Sequence, residues 1–330
     1  MMSKRDFSIC ALLALCVALV SSCGPKAAVR DQEAGASAGA GAGVADASVA
    51  GGRFASARRI VSFAPSLTEM LFALGLGERV VGVSEYCVYP QEVKALPKVG
   101  GFMNPNVEMV VRLRADCVVL FANHDKVVKQ LAQLGIPTLV VRGDTLSEIM
   151  ATFAVLGREF ECEERSDAIL ADIDARMTRI RTRCAERPPL RVLTVIWRER
   201  GVGTLRGLQA AANDGYYSEL LRLAGARALP RGTASKYPSL SVEGILELNP
   251  DVVFELVNDI TVTSAADLAQ VRADWQVLPE LAAVKNERLY IITDDYATIP
   301  GPRFILLAEK LARHYIRTLI GTDDSKRQHS

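Results

Sequence analysis

From Arg58 onward, short apolar runs alternate with amphipathic stretches. Residues 60–63 (Ile-Val-Ser-Phe) read as a strand, and Pro65 opens a helix in which Ser66 and Glu69 have capping-box spacing and Gly75 supplies the stop. The pattern continues with strands at 80–83, 117–121 and 138–141 and helices at 107–113, 126–134 and 146–160. The run around Cys117 has no polar alternation, which is expected of a strand covered on both faces of a parallel α/β sheet.

The next stretch differs. Residues 163–185 carry Ile169, Ile173, Met177 and Ile180 at three- and four-residue steps, the period of one long helix that Pro188-Pro189 ends. At 1.5 Å per residue it is about 35 Å long, the span of a small domain. Strand–helix alternation then restarts: strands at 191–197, 252–256 and 288–293, helices at 217–223, 242–248 and 304–319.

The two halves echo each other. Val107-Glu108, Leu113, Asp116 and Val118 recur as Val242-Glu243, Leu248, Asp251 and Val253, at one offset of 135 residues. Leu67-Thr68-Glu69-Met70-Leu71 with Gly75 is matched by Tyr217-Ser218-Glu219-Leu220-Leu221 with Gly225. This predicts two similar α/β lobes joined by one helix, with a ligand cleft near strand ends and helix starts.

Ahead of the lobes the pattern changes twice. Lys4 and Arg5 precede an unbroken apolar run from 9 to 20, too short to span a bilayer but suited to a secretory signal. Val20-Ser21-Ser22-Cys23 closes it and resembles a bacterial lipobox. That resemblance implies cleavage before Cys23, diacylglycerol on its thiol and acylation of the new amino terminus. Gly, Ala and Ser then dominate to about residue 57, reading as a tether with a reach of roughly 30 Å. The expected organisation is a signal peptide at 1–22, a lipid-anchored linker at 23–57, lobes at 58–160 and 188–320 around a helix at 161–187, and a polar tail at 321–330.

A formal net charge of +1 offers no case for nucleic acid. Beyond the signal and the anchor, Cys87, Cys117, Cys162 and Cys184 form neither a CxxC nor a zinc pattern. Only His124, His314 and His329 are available to a bare-metal receptor, too scattered for a convergent shell. No GxSxG, HExxH or P-loop supports the rival reading, an exported lipid-anchored enzyme. The enzyme reading would be favoured by turnover rather than stoichiometric binding of a solute.

The segments Arg59-Ile60-Val61-Ser62-Phe63-Ala64-Pro65-Ser66-Leu67-Thr68-Glu69, Val81-Gly82-Val83-Ser84 with Tyr89-Pro90, Lys98-Val99-Gly100-Gly101-Phe102 with Asn106-Val107-Glu108, and Pro302-Arg303 resemble the helical-backbone solute-binding proteins of ABC importers. The likeness runs from about Arg58 to about Leu319. It implies class III periplasmic binding protein architecture: two Rossmann-like lobes with central sheets on a single long backbone helix that resists closure. It also implies an extracytoplasmic monomer without catalytic residues or cofactor, binding a cobalamin or an iron chelate such as a siderophore or haem. Another metal complex on the same scaffold is the alternative. The implied partners are a permease, through it an ATPase, and the membrane that holds the lipid anchor.

By that resemblance Glu108 and Glu243, the pair the repeat also isolates, dock on the permease. As exposed carboxylates at helix starts they would equally suit the helix macrodipole. Candidate solute contacts are Tyr86, Tyr89, Phe102, Trp197, Tyr237 and Tyr296, aromatics at loop ends that suit a flat chelate. Arg303 and Arg206 could pair with an anionic chelate or serve as salt-bridge or surface arginines. Cys87 and His124 are the remaining candidates for touching a bound metal, and each is equally readable as an ordinary buried or loop residue.

Overall fold

The computed structural model describes residues 52–101, 104–212, 215–257, 262 and 264–327, with side chains described to residue 318. The predicted leader, Cys23, most of the tether and Phe102 lie outside them.

Strand β1 (Ile60–Ser62) is flanked by β2 (Val80–Val83) and β3 (Cys117–Phe121), and β4 (Thr138–Val141) lies beyond β3. All three pairings are parallel. The helices between them are α1 (Pro65–Ala73), α2 (Val107–Arg112) and α3 (Asp125–Gln133). Helix α4 (Leu146–Glu159) leads into α5 (Glu163–Cys184).

The second sheet repeats the plan. β5 (Arg191–Trp197) pairs in parallel with β7 (Arg227–Leu229) on one side and β8 (Val252–Leu256) on the other, and β9 (Leu289–Ile292) lies beyond β8. The order β7-β5-β8-β9 is that of β2-β1-β3-β4. β6 (Gln209–Ala210) pairs antiparallel with the far end of β5. Helices α6 (Tyr216–Leu223), α7 (Val242–Leu248), α8 (Ala265–Ala273) and α9 (Ala282–Lys285) complete this lobe, and α10 (Phe304–Arg327) packs back on α5 and α6.

The repeat extends to single hydrogen bonds. The Asp116 carboxylate accepts from the amides of Arg58 and Arg59, and the Arg59 side chain donates to the Leu113 carbonyl. Asp251 accepts from the Arg191 amide, and the Arg191 side chain reaches the Leu248 carbonyl. Arg114 and Asn249, at the same offset, both adopt left-handed backbone. Gly75 and Gly225 end their helices at φ 82° and 76°, where a side chain would be strained.

Strand alternation divides the core into three. Val61, Phe63, Val118 and Leu120 pack under α2 and α3, and Leu193, Val195 and Val253 pack with Ile245 and Trp275. Ile60, Val119, Val192 and Phe254 point the other way, into one large core that includes Ile173, Met177 and Ile180 of α5 and Leu307 and Leu311 of α10. The lobes therefore share a hydrophobic core through the connecting helix. Arg176 fastens α5 to α10 with two 2.8 Å hydrogen bonds to Glu309.

The structure corrects several expectations. The folded body begins by Gly52 rather than after Ala57. Phe54 is 4% exposed against Phe160, and its amide bonds to the Glu159 carbonyl. The Arg53 side chain also donates to the Thr138 carbonyl and the Gly52 amide to Glu161, so the segment is held by several contacts around Phe54. The capping box at Ser66 does not form. Pro65 takes the first helical turn, Ala64 is the cap, Ser66 is buried and Glu69 is drawn to an arginine of the other lobe. α10 continues to Arg327. Strands β6 and β7 were not expected, because two- and three-residue strands carry no readable period; helices α8 and α9 are further additions to the expected elements.

Candidate functional site

The predicted aromatics follow the carboxyl ends of strands in both lobes. Tyr86 and Tyr89 come after β2, Trp197 ends β5, Tyr237 lies beyond β7 and Tyr296 beyond β9. In open parallel sheets this is where ligands gather, because the helix starts and loops there leave an uncovered crevice.

Arg303 joins this region across the lobes. Its guanidinium makes two hydrogen bonds to Glu69 of α1, at 2.9 and 2.6 Å, and two to Asp295, at 2.8 and 2.9 Å. It also lies 3.8 Å from the ring centre of Tyr89 and 5.6 Å from that of Tyr296. Burial pushes the Glu69 carboxyl up. Burial also opposes the Arg303 charge, yet its hydrogen bonds to Glu69 and Asp295 hold it above the usual arginine value. In the bidentate contact each Glu69 oxygen meets its own N–H donor, the strong form of an arginine–carboxylate pair. Burial and Asp294 push the Tyr296 hydroxyl up to about 12, so it remains a hydrogen-bond donor at neutral pH.

Two further contacts cross between the lobes. Lys236 pairs with Asp144 at 3.0 Å, and Glu219 accepts the Leu146 amide at 2.7 Å. The last caps the start of α4 with a carboxylate from α6, satisfying an orphan N–H. Tyr237 is half-buried against the shared core. Trp197 is half-buried over Gly207, where an added side chain would press on the indole at 3.0 Å. Tyr86 lies in the same way against Gly101.

Tyr89 and Tyr296 thus come together on Arg303, whereas Trp197 and Tyr237 occupy other strand ends and Tyr86, which follows β2 as Tyr89 does, packs against Gly101. Tyr89 is the most open of the tyrosines, at 45% exposed. Arg206 is an exposed surface arginine paired with Glu199 at 3.5 Å. Cys87 is corrected as a metal candidate. Its thiol is 2% exposed, lies 3.2 Å from the hydroxyls of Thr68 and Ser84, and is pushed up by burial. A protonated core thiol is a poor metal ligand. His124 likewise is 5% exposed at the start of α3, with Nδ1 3.3 Å from the Phe121 carbonyl and its pKa lowered by burial. All four described cysteines are free.

Glu108 and Glu243 stand exposed in the first turns of α2 and α7, behind side-chain caps by Asn106 and Ser241. Neither forms an ion pair among the described residues. Hydrogen bonds from its own amide and from Ser241 hold the Glu243 carboxyl below the usual range.

A charged cluster behind the β5 and β8 ends escaped the sequence reading. Arg198, Glu255 and Asp274 are fully buried. Arg198 donates to Asp274 at 2.7 Å and to Glu255 at 3.1 Å, and Trp275 and Arg200 also donate to Glu255. Asp274 accepts the amides of Gly201 and Gly203, so the cluster fixes the loop that follows Trp197. Burial works against the Asp274 charge, but Arg198 and those amides bring its pKa below the usual range. The available signal was Glu255, one acid in an otherwise apolar strand.

Comparison with known proteins follows the same geometry. A family model described as periplasmic binding protein matches residues 60–296. An ABC transporter substrate-binding lipoprotein of Bacillus subtilis, YvrC, itself uncharacterised, is 30% identical over 261 residues, covering 77% of this chain and 79% of that protein. The structure of the periplasmic vitamin B12 binding protein BtuF of Vibrio cholerae superposes with a TM-score of 0.67 at 26% identity, covering 79% of this chain and 97% of that one. A periplasmic heme binding protein from Pseudomonas aeruginosa gives 0.66 at 27% identity, covering 77% and 91%.

Proposed function

The chain belongs to the periplasmic binding protein family, a family of substrate-binding transport proteins rather than enzymes, and we propose that this member captures a cobalamin or an iron chelate such as haem or a siderophore. The observation that carries the reading is the set of aromatics at strand ends of both lobes, two of them on Arg303 at the lobe junction. Flat rings would stack on a planar chelate, and Arg303 would face its carboxylates only by sharing itself with Glu69 and Asp295. Phe102, which falls between β2 and α2 in the sequence, belongs to the proposed wall by resemblance to the family alone.

The solute is then delivered to an ABC permease that Glu108 and Glu243 engage, one from each lobe. The protein is extracytoplasmic, held to a membrane by lipid on Cys23, and acts as a monomer. Support for the anchor is the lipobox-like Val20-Ser21-Ser22-Cys23 and a lipoprotein relative. Cys23→Ser is expected to release the protein into the soluble fraction and to abolish incorporation of labelled palmitate.

Titration of the purified protein with cobalamin, haem and ferric siderophores, followed by absorbance and calorimetry, tests the capture. One of them should bind stoichiometrically and without turnover. Tyr89→Ala with Tyr296→Ala should weaken that binding about thirtyfold, since each ring contact contributes roughly 1 kcal/mol. Binding of none of the three would overturn the reading.

A further inference from the structure

The proposed docking helices share more than their glutamates. Val111 and Leu246 stand at the same offset of 135 residues and are among the large apolar side chains that the described surface exposes, at 47% and 44%. Each lies three residues after its glutamate, on the same helical face. Nothing in α2 or α7 requires an exposed aliphatic there: Val110 and Ile245 already supply the buried contacts, both at 0% exposure. Scattered apolar residues are ordinary on a surface, but two at equivalent places of an internal repeat, each beside an exposed carboxylate that forms no ion pair among the described residues, are a repeated surface motif.

We infer that the docking surface consists of two matched patches, Glu108 with Val111 and Glu243 with Leu246, each presenting a carboxylate and an aliphatic side chain to a two-fold membrane permease. This rests on the docking reading above and deepens it. The carboxylates call for cationic side chains on the partner, and the repeat calls for the same pocket twice. An aliphatic residue beside each ion pair excludes water from it and supplies contact area that salt does not screen.

The test uses the full-length protein in cells, with a photo-crosslinking residue at position 111 or 246 and, as controls, at the exposed positions of Leu134 and Val277. Crosslinks at 111 and 246 to one membrane-spanning permease subunit, identified by mass spectrometry, and not at the controls, are expected. The combined variant Val111→Ser and Leu246→Ser should then bind that transporter in nanodiscs about tenfold more weakly, with solute affinity and Tm unchanged. Serine at two exposed sites leaves the core intact. Equal crosslinking at all four positions, or unchanged transporter affinity in the serine variant, overturns the inference. If Glu108→Lys with Glu243→Lys still abolishes the complex in that case, docking stands and only the aliphatic contacts fall. If the charge reversals are also silent, the docking reading falls with them.

Discussion

Arg303 decides more at the residue scale than any other side chain. It links the lobes through Glu69, which is 1% exposed in its side chain, so removing the guanidinium alone strands a buried carboxylate. Arg303→Met is expected to destabilise the fold by about 3 kcal/mol in urea unfolding, while Glu69→Leu combined with Arg303→Met should recover much of that loss. A double variant as unstable as Arg303→Met alone would show that the aromatic stack on Arg303 carries the junction instead. His314 provides a pH signature. Burial lowers its pKa from the usual 6.5, and Lys310, Arg317 and Arg313 add to the effect, while it packs 4.3 Å from Tyr290. The unfolded chain therefore binds the proton first. Stability is fully present above pH 6.5 and declines as pH falls through the lower folded value. Tm followed from pH 7.5 to 5 should fall less steeply in His314→Phe than in the parent protein. His124, also lowered by burial, acts in the same direction and will leave a residual slope.

Between elements, the buried cluster of Arg198, Glu255 and Asp274 ties β5, β8 and the helical turn after α8 to the loop beyond Trp197. Glu255→Leu removes the carboxylate that Arg198, Arg200 and the Trp275 N–H share. A loss of about 3–5 kcal/mol is expected in denaturant unfolding. The proposed docking helices, α2 and α7, are matched but not equal. Arg112 follows Glu108 by one turn, whereas Glu247 occupies the equivalent place after Glu243. Arg112 offsets the field of Glu108, and Glu247 reinforces that of Glu243. Glu243→Lys should therefore slow association with the permease more than Glu108→Lys at low salt, with the difference shrinking as salt screens exposed charges. Equal rate changes for the two would mean that the neighbouring charges are not felt at the interface.

Across the whole molecule, the shared core sets the mechanics. Ile173, Met177 and Ile180 of α5 bury between side chains of both lobes, and α10 closes over them. Hinge bending would have to break a continuous packed core rather than flex a loop. Saturation with the bound solute is expected to leave the radius of gyration from small-angle scattering unchanged within error. A marked contraction would show that the lobes close as separate bodies.

The reach of the sequence follows from the range of the forces involved. The long helix, the apolar strands and the two-lobe echo were legible because period and turn chemistry are local: Ile173, Met177 and Ile180 point to one face wherever the helix lies. The repeat placed Glu108 and Glu243 in equivalent positions for the same reason. Arg303 was legible as a candidate, but its choice of Glu69, 234 residues away, was not. Ser66-x-x-Glu69 satisfied a local capping rule, and a distant guanidinium took the glutamate instead, because a bidentate ion pair outweighs a cap that Pro65 had already made unnecessary. The charged run Arg198-Glu199-Arg200 carries no local sign of burial, and only β8 and the turn after α8 bring Glu255 and Asp274 onto Arg198. Cys87 carried reactive chemistry on paper, and only packing under Thr68 and Ser84 showed a buried thiol. The chain by itself determined its elements and their repetition, since these depend on neighbours within a few residues. Which charges meet, which thiols are covered and how the lobes are joined depended on tertiary structure, because burial and pairing are properties of surfaces that meet only after folding.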